Sequence, residues 1–429
     1  MNEILSITLS FFTFLIFLCA PLNIYKSETF RFRSVHQNGI ANLIINLNFL
    51  IIISLLPFKL ISYLPFYFTA LVLISIFNFL KKGEIFKFEK LIFSFFFVLF
   101  LIISLDVAVK LNLGWDAKWF WYIKSLFFFQ NFNFGYLSQY EFNSFHPHFG
   151  SYLWAFFREL SLNKFEYSGR LFYVFLYLSS LLFLIDKFKE NKIQNFIIIF
   201  LLLLITYNYK IFSGLQEILI FSLLIITTKL IYEYLNYKKN FYLFLIILCM
   251  NLILWIKAEG IAYFMIILVG LNFIKNFNFE KRSLLLFSSF ILILFKTFIY
   301  NYFQISLNDQ PYFVEYILKL DLQTIIFKLK NIIIYGTFYS LKNIIFLIVP
   351  IIFFINYKIL FKDQFNKIIF IIFMLNIGFI VSAYMFREME IIYSLRTTMD
   401  RIIFTSSGFY VFYLINFLKK KNYFRRYIL

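Results

Sequence analysis

Residues 91–108 read LIFSFFFVLFLIISLDVA, a run that contains a single charged side chain, Asp106. A helix needs about 20 apolar residues to cross the hydrocarbon core of a bilayer, so this run is long enough to span a membrane. In the whole chain 62% of the residues are hydrophobic and only 15% are charged, whereas soluble domains carry about 25% charged residues. The sequence therefore predicts an integral membrane protein.

Runs of similar length repeat along the chain. The candidate spans are 4–24, 39–56, 62–80, 91–108, 170–186, 193–208, 213–234, 241–256, 258–274, 283–303, 341–357, 366–385 and 401–418. Barrel strands would alternate polar and apolar residues, and these runs do not. The pattern predicts an all-α, polytopic membrane bundle of about 13 transmembrane helices.

The net charge of +19 is explained by topology. Of the 41 Lys and Arg residues, 24 lie in every second connection and in the C-terminal tail 419–429. Because cytoplasmic loops are rich in Lys and Arg, this side is predicted to be cytoplasmic, and nucleic-acid binding is not expected. The protein is expected to be a multi-pass protein of the cell inner membrane with a periplasmic N-terminus and a cytoplasmic C-terminus.

The longest early connection, residues 109–169, is then periplasmic and is rich in aromatic residues. Trp115, Trp119 and Tyr122 recur at helical spacing, and Leu126 and Phe129 continue the stripe. This pattern predicts an amphipathic interfacial helix with its aromatic face in the lipid headgroups. A second such segment, 149–157, is expected after Pro147. The aromatic residues by themselves are typical of interfacial anchors.

Several ionisable residues in this loop are candidates for chemistry. Asp116 follows span 91–108 and could serve as a general base or hold a divalent metal ion. Lys118 and Lys124 lie off the aromatic stripe and are candidate substrate-binding residues. His146 and His148 resemble a metal-ligand pair with Glu141 nearby, but substrate hydrogen bonding or a plain turn is the favoured interpretation, and metal binding is left unassigned.

Further candidates lie where spans return to the same face. Glu217, Lys257 and Glu259 are ionisable groups at the edge of the membrane, where such groups are costly and usually have a function. An alternative is that Lys257 and Glu259 only satisfy each other at a helical break. Arg170, Arg396 and Arg401 have guanidinium groups suited to a phosphate oxyanion.

Nucleotide binding is not expected. The chain has only 12 Gly, no phosphate-binding glycine loop and no nucleophile elbow. The predicted cytoplasmic loops are also too short for a nucleotide-sugar domain. An activated donor would therefore have to come from within the membrane.

The polar residues occur in a recognisable order. It begins with Trp115-Asp116-Ala117 and His146-Pro147-x-Phe149, continues with Ser168-Gly169-Arg170-Leu171 and Lys257-x-Glu259-Gly260, and ends with Thr398-x-Asp400-Arg401. This order resembles the integral-membrane glycosyltransferases of the GT-C superfamily, in the bacterial branch near protein mannosyltransferases and lipid A aminoarabinose transferases. Many relatives have two adjacent acids where this chain has Asp-Ala.

The resemblance implies an inverting enzyme that moves a sugar from a polyprenyl-phosphate-linked donor to a cell-envelope glycan or lipid acceptor at the periplasmic face. It implies that Asp116 is the catalytic acid group and that residues 91–418 form a GT-C-like transferase core. Residues 1–90 would be an N-terminal extension of three spans. An O-antigen-type polymerase or ligase and a lipid-linked glycan flippase or transporter are the alternatives.

Overall fold

The computed structural model describes residues 3–21, 35–82, 90–139, 146–185, 192–275, 277–305, 316, 320–355, 357 and 362–420. Secondary structure in these residues is helical throughout, without strands. The all-α prediction is therefore confirmed for this part of the chain.

The helices follow one another closely. In chain order they are α1 (Glu3–Cys19), α2 (Val35–Ser54), α3 (Leu60–Lys82), α4 (Lys90–Lys110), α5 (Ile123–Phe129), α6 (Phe149–Leu160), α7 (Glu166–Ile185), α8 (Lys192–Thr206), α9 (Glu217–Tyr237), α10 (Asn240–Ile256), α11 (Gly260–Asn272), α12 (Phe279–Tyr302), α13 (Leu322–Lys342), α14 (Ile344–Ile355), α15 (Gln364–Met385) and α16 (Ile391–Lys420). A π-helix (Ala117–Tyr122) leads into α5, and 3-10 turns cover Phe134–Gln139 and Tyr209–Ile211.

Seven of these helices are long and apolar enough to cross a bilayer: α3, α4, α7, α9, α12, α15 and α16. Helices α13 and α14 pass the same test only as a pair, bent by 99° at their junction, and add an eighth span if the pair is one broken span. The chain is a multi-pass membrane protein.

The predicted count of thirteen spans is not confirmed. Five of the predicted spans coincide with shorter apolar helices of 10–17 residues, which belong to α1, α2, α8, α10 and α11. Since a helix rises 1.5 Å per residue, 17 residues reach about 26 Å. Membrane spans run from about 17 residues upward, so the apolar parts of these helices lie at or below the lower limit, and whether they cross the bilayer stays a prediction.

Two connections that were predicted as loops are helical. Helix α13 occupies about half of 304–340, the connection between two of the predicted spans, and begins where the Asp321 carboxylate accepts a hydrogen bond from the Thr324 N–H at 2.8 Å. Helix α16 begins at Ile391 within the predicted loop 386–400. Lysine and arginine residues interrupt the apolar runs there, which hides helices that have only one apolar face.

The first of two compact units contains residues 1–222, 254–258 and 301–305. Helix α7 forms its core, because the whole apolar stretch of α7 is buried, and α1, α4 and α6 pack against it. The rings of Phe157 and Phe172 stack at 3.9 Å between α6 and α7. Helices α1–α3 belong to this unit, and whether residues 1–90 extend a transferase core in 91–418 stays a prediction.

The second unit contains residues 223–253, 259–300 and 306–429. Helix α16 packs against α13, α14 and α15. Buried polar side chains also join its helices: the Asn376 amide donates to the Tyr410 hydroxyl at 2.9 Å, and the Ser406 hydroxyl donates to the Asn376 amide oxygen at 3.1 Å. The predicted tail 419–429 lies outside the described residues from residue 421 onward.

Candidate functional site

Asp116 stands at the start of the π-helix and is half-buried. The turn that presents it is held from both sides in the chain. The Gly114 N–H donates to the Ser213 carbonyl at 2.8 Å, and the Lys118 N–H donates back to the Gly114 carbonyl at 2.9 Å. The acid therefore lies on a backbone segment that is bonded to the stretch between the 3-10 turn and α9.

The helix after Asp116 buries a different face from the one that the sequence pattern indicates. Trp115 and Trp119 are exposed as predicted, at 67% and 44%, but Trp121 is buried. Lys124, expected off the aromatic stripe, lies on this buried face. A π-helix has more residues per turn than an α-helix, so the residues after it move round the axis relative to the α-helical pattern.

Lys124 is one of the most enclosed charged residues in the first unit. Its side chain is 1% exposed, and its Nζ donates to the carbonyl oxygen of His146 at 2.7 Å. Burial lowers the pKa of the Lys124 ammonium to about 7, because a low-dielectric environment disfavours the charged form. Lys124 thereby fixes the His-Pro-His turn, and its substrate-binding role stays a prediction.

The two histidines of that turn have different surroundings. The His146 ring is half-buried against the rings of Phe120 and Trp121. The His148 ring is fully buried, and its Nε2 lies 2.8 Å from the hydroxyl of Ser54 at the end of α2. Within the described residues, no group of three His, Cys, Asp or Glu side chains could hold a metal ion. Glu141, the third member of the proposed set, lies outside them.

Helix α6, predicted as an interfacial segment, is instead an interior helix. All of residues 149–157 are buried. Trp154 is the centre of this packing: its Nε1 donates to the Glu166 carbonyl at 3.0 Å, and its ring lies 5.6 Å from that of Tyr122. The prediction of a second interfacial helix is wrong because the aromatic side chains face other helices rather than lipid.

Arg170 is 1% exposed and is fully engaged by protein groups. Its Nε and Nη2 donate to the two carboxylate oxygens of Glu166 at 2.6 and 2.8 Å. Its Nη1 donates to the carbonyl oxygens of Asn112, at 3.3 Å, and Phe212. The guanidinium thus joins the segment before Asp116 to the turn before α9, which is a positioning role.

Glu217 and Lys257 form a buried ion pair, with Lys257 Nζ 2.9 Å from Glu217 Oε1. The alternative that Lys257 also pairs with Glu259 stays a prediction. Glu259 begins α11 and is half-buried, and its carbonyl accepts a hydrogen bond from the Ala262 N–H at 3.0 Å.

In the second unit, Glu259 and Arg401 are both close enough to the Tyr384 hydroxyl to interact with it electrostatically. That hydroxyl lies 2.8 Å from the Thr398 hydroxyl. Arg396 is exposed, and its Nε donates to the Tyr335 hydroxyl at 3.0 Å. Both arginines, Arg396 and Arg401, lie in the N-terminal half of helix α16.

The sequence predicted that all the candidate residues gather on one surface. Within the first unit lie Asp116, Lys118, Lys124, His146, His148, Arg170, Glu217 and Lys257, and within the second lie Glu259, Arg396 and Arg401. Lys118 is exposed, with its Nζ 5.3 Å from the centre of the Trp119 ring. The predicted catalytic and substrate-binding roles of this set stay predictions.

Sequence reasoning missed one central residue, Gln216. Its fully buried amide donates to the Ile256 carbonyl at 2.5 Å and accepts from the Ser151 N–H at 3.1 Å. Gly150 leaves the room for this side chain, since a Cβ there would collide with the amide. A polar residue beside Glu217 at a helix start was the available signal.

Comparisons with protein-family models, curated proteins and solved structures find no match to this chain.

Proposed function

We propose that this protein is a membrane glycosyltransferase. It would transfer a sugar from a polyprenyl-phosphate-linked donor to a glycan or lipid acceptor of the cell envelope, with inversion at the anomeric carbon. Asp116 would be the general base that removes the proton from the acceptor hydroxyl as the sugar gains oxocarbenium character. The leaving group would be the lipid phosphate.

The observation that carries this proposal is the way in which the backbone next to Asp116 is held in place. The carboxylate is partly open, while the backbone just before it is held by two hydrogen bonds. The Gly114 N–H donates to the Ser213 carbonyl, and the buried Arg170 donates to the Asn112 carbonyl. A catalytic group is effective when its supporting shell keeps it within a fraction of an ångström of the reacting atoms.

The cations differ in what they can offer a phosphate. Arg170 and Lys257 already bind carboxylates of the protein. Lys118 is exposed, two residues after Asp116, and is the better candidate for contact with an anionic donor. This division supports phosphate recognition by exposed cations rather than by the buried ones.

One observation favours the flippase or transporter alternative. The Glu217–Lys257 pair is buried in the first unit, and transporters keep ionisable pairs inside the bundle for substrates or coupling ions. We rank this function second because Lys257 Nζ and Glu217 Oε1 already bind each other, at 2.9 Å.

The test is to profile envelope glycans and lipids in cells that carry Asp116→Asn, a null allele or wild type, with matched membrane protein levels. Asp106→Asn is the matched control, because Asp106 precedes the same turn and pairs with Lys110 on the surface of α4. Loss of one sugar in the null strain and in Asp116→Asn, but not in Asp106→Asn, is the expected result.

Two other results would overturn the proposal. A wild-type glycan profile in Asp116→Asn cells would remove Asp116 from the chemistry. An unchanged glycan profile in the null strain, with a lipid-linked glycan accumulating on the cytoplasmic side, would assign the protein to transport.

A further inference from the structure

An apolar groove runs along the bent helix pair of the second unit. It has a volume of about 420 Å³ and is lined by side chains of α13, α14, α15 and α16, among them Ile332, Pro350, Phe373, Ile380 and Met399. Gly336 forms part of its wall. This volume lies in the range of pockets that bind small ligands.

The groove is open along its edge. Ile333 and Leu341, which line it, are each 59% exposed. Because α15 and α16 are long and apolar enough to cross a bilayer, and α13 and α14 pass that test as a pair, an open apolar groove on them meets lipid hydrocarbon. A lipid chain can therefore enter from the side, without leaving the membrane.

Helices α13 and α16 run in the same direction beside the groove. The Lys328 Nζ donates to the Arg387 carbonyl at 2.7 Å, shortly before α16 begins, and the wall at Gly336 meets the end of the Met399 side chain. Both helices therefore run from the polar 385–387 turn toward the groove. Residues that come before the lining residues in each helix lie at the end of the groove nearer to that turn.

Two cations lie at that end. Lys330 precedes Ile333 and Thr337 at spacings of three and seven residues, and Arg396 precedes Met399 and Ile403 at the same spacings, so each cation shares the groove face of its helix. Both are exposed. Arg396 uses Nε for the Tyr335 hydroxyl, and its charge also interacts with the Tyr339 hydroxyl and with the Glu390 carboxylate.

We propose that this groove is a binding site for an anionic phospholipid of the surrounding bilayer. One acyl chain would fill the groove between α13 and α16, and the phosphate would lie at Arg396 and Lys330. The carboxylate of Asp400, on the same face of α16, offsets one of these charges. The inference does not depend on the proposed transfer reaction.

The test is lipid titration of the delipidated full-length protein, followed by native mass spectrometry, with phosphatidylglycerol and phosphatidylcholine of identical chains. A single cation beside an anionic headgroup is expected to favour phosphatidylglycerol about fivefold. Arg396→Gln is expected to remove this preference and keep chain binding. Lys342→Gln is the matched control, since Lys342 lies at the far end of α13 over the Phe338 ring.

A larger side chain that fills the groove tests whether an acyl chain binds there. Gly336→Leu is expected to weaken binding of both lipids at least tenfold, whereas Gly378→Leu is not, because a side chain at Gly378 enters open space. Gly336→Ala is a milder variant, since its Cβ would meet only the end of Met399 at 3.4 Å. It keeps the test usable if Gly336→Leu does not fold.

Three outcomes would overturn the proposal. Equal affinity for the two phospholipids would remove the headgroup site, and undiminished binding to a folded Gly336→Leu protein would remove the chain site. Binding of polyprenyl phosphate without binding of phosphatidylglycerol would assign the groove to a carrier lipid instead.

Discussion

Glu217 and Lys257 form a buried ion pair between the start of α9 and the segment after α10, with 2.9 Å between Oε1 and Nζ. The Lys257 side chain is 10% exposed and that of Glu217 is 2% exposed. Desolvation of both charges is costly, so the pair depends on being complete.

Removal of one charge of the pair is therefore expected to lower the free energy of unfolding more than removal of both charges. Glu217→Gln should lower the free energy of unfolding by about 3–5 kcal/mol, because it leaves a buried ammonium without its carboxylate. The double variant Glu217→Gln/Lys257→Met should recover much of this loss. Thermal unfolding in detergent measures both.

The control for this cycle is an exposed pair. Lys164 and Glu159 lie 2.6 Å apart, with Lys164 51% exposed, so Lys164→Gln should cost about 1 kcal/mol or less. If Glu217→Gln costs no more than Lys164→Gln, the buried pair has no special energetic role.

Arg170→Lys should be destabilising although the charge is kept. Lysine cannot reproduce the two bonds to Glu166 together with the bonds to the Asn112 and Phe212 carbonyls. A cost of about 1–3 kcal/mol is expected for the unsatisfied groups. The conservative exchange Arg282→Lys, at an exposed position, should change stability by about 0.5 kcal/mol or less. Equal melting temperatures for the two variants would contradict the positioning role.

Lys124 should make stability depend on pH. Its pKa is about 7 in the folded protein and about 10.5 when unfolded. Between these values the unfolded state binds more protons, so the free energy of unfolding should rise with pH, by at most about 1.4 kcal/mol per pH unit. The penalty for burying the charge is fully present below pH 7.

Melting temperatures between pH 6 and pH 9 test this dependence. Lys124→Met should flatten the slope, because the titrating group is gone. Lys118→Met, at an exposed position of the preceding π-helix, should leave it unchanged. If the melting temperature of Lys124→Met still rises with pH, the pH dependence belongs to another group.

Gly169→Ala should be among the most harmful small substitutions. A Cβ at Gly169 would lie well inside van der Waals contact with the carbonyl oxygen of Trp154, so α6 and α7 would have to separate. We expect a loss of several kcal/mol or failure to insert, measured as folded protein in the membrane. Gly378→Ala is the matched control. The added methyl group would have no atom within 4 Å, and the variant should stabilise α15 by up to about 1 kcal/mol.

The hydrophobic pattern of the sequence was enough to predict most of the helices. Each predicted span coincides with an apolar helix, because a run of bilayer length has one stable backbone solution in lipid. The patterns were not enough for α13, since Lys328 and Lys330 interrupt its apolar face. They also did not show that the apolar parts of α1, α2, α8, α10 and α11 are only 10–17 residues long.

The candidate site was predicted less well, for two physical reasons. The π-helix after Asp116 changes which side chains are buried, so Lys124 lies inside rather than toward water. Arg170 was predicted to bind substrate, and the structure shows that Glu166, one turn before it, binds its guanidinium. Partners distant in the chain, such as Ser213 for Gly114, have no local signature.

The sequence by itself determined that this is an all-helical, multi-pass membrane protein, because hydrophobic length and composition act locally and need no knowledge of neighbours. Tertiary structure alone decided which charges are enclosed and which remain open to a ligand. It paired Lys257 with Glu217, placed Arg170 across two backbone segments and left Arg396 exposed at the end of a groove. Burial of a charge depends on which helices meet, and that is a property of packing rather than of any one segment.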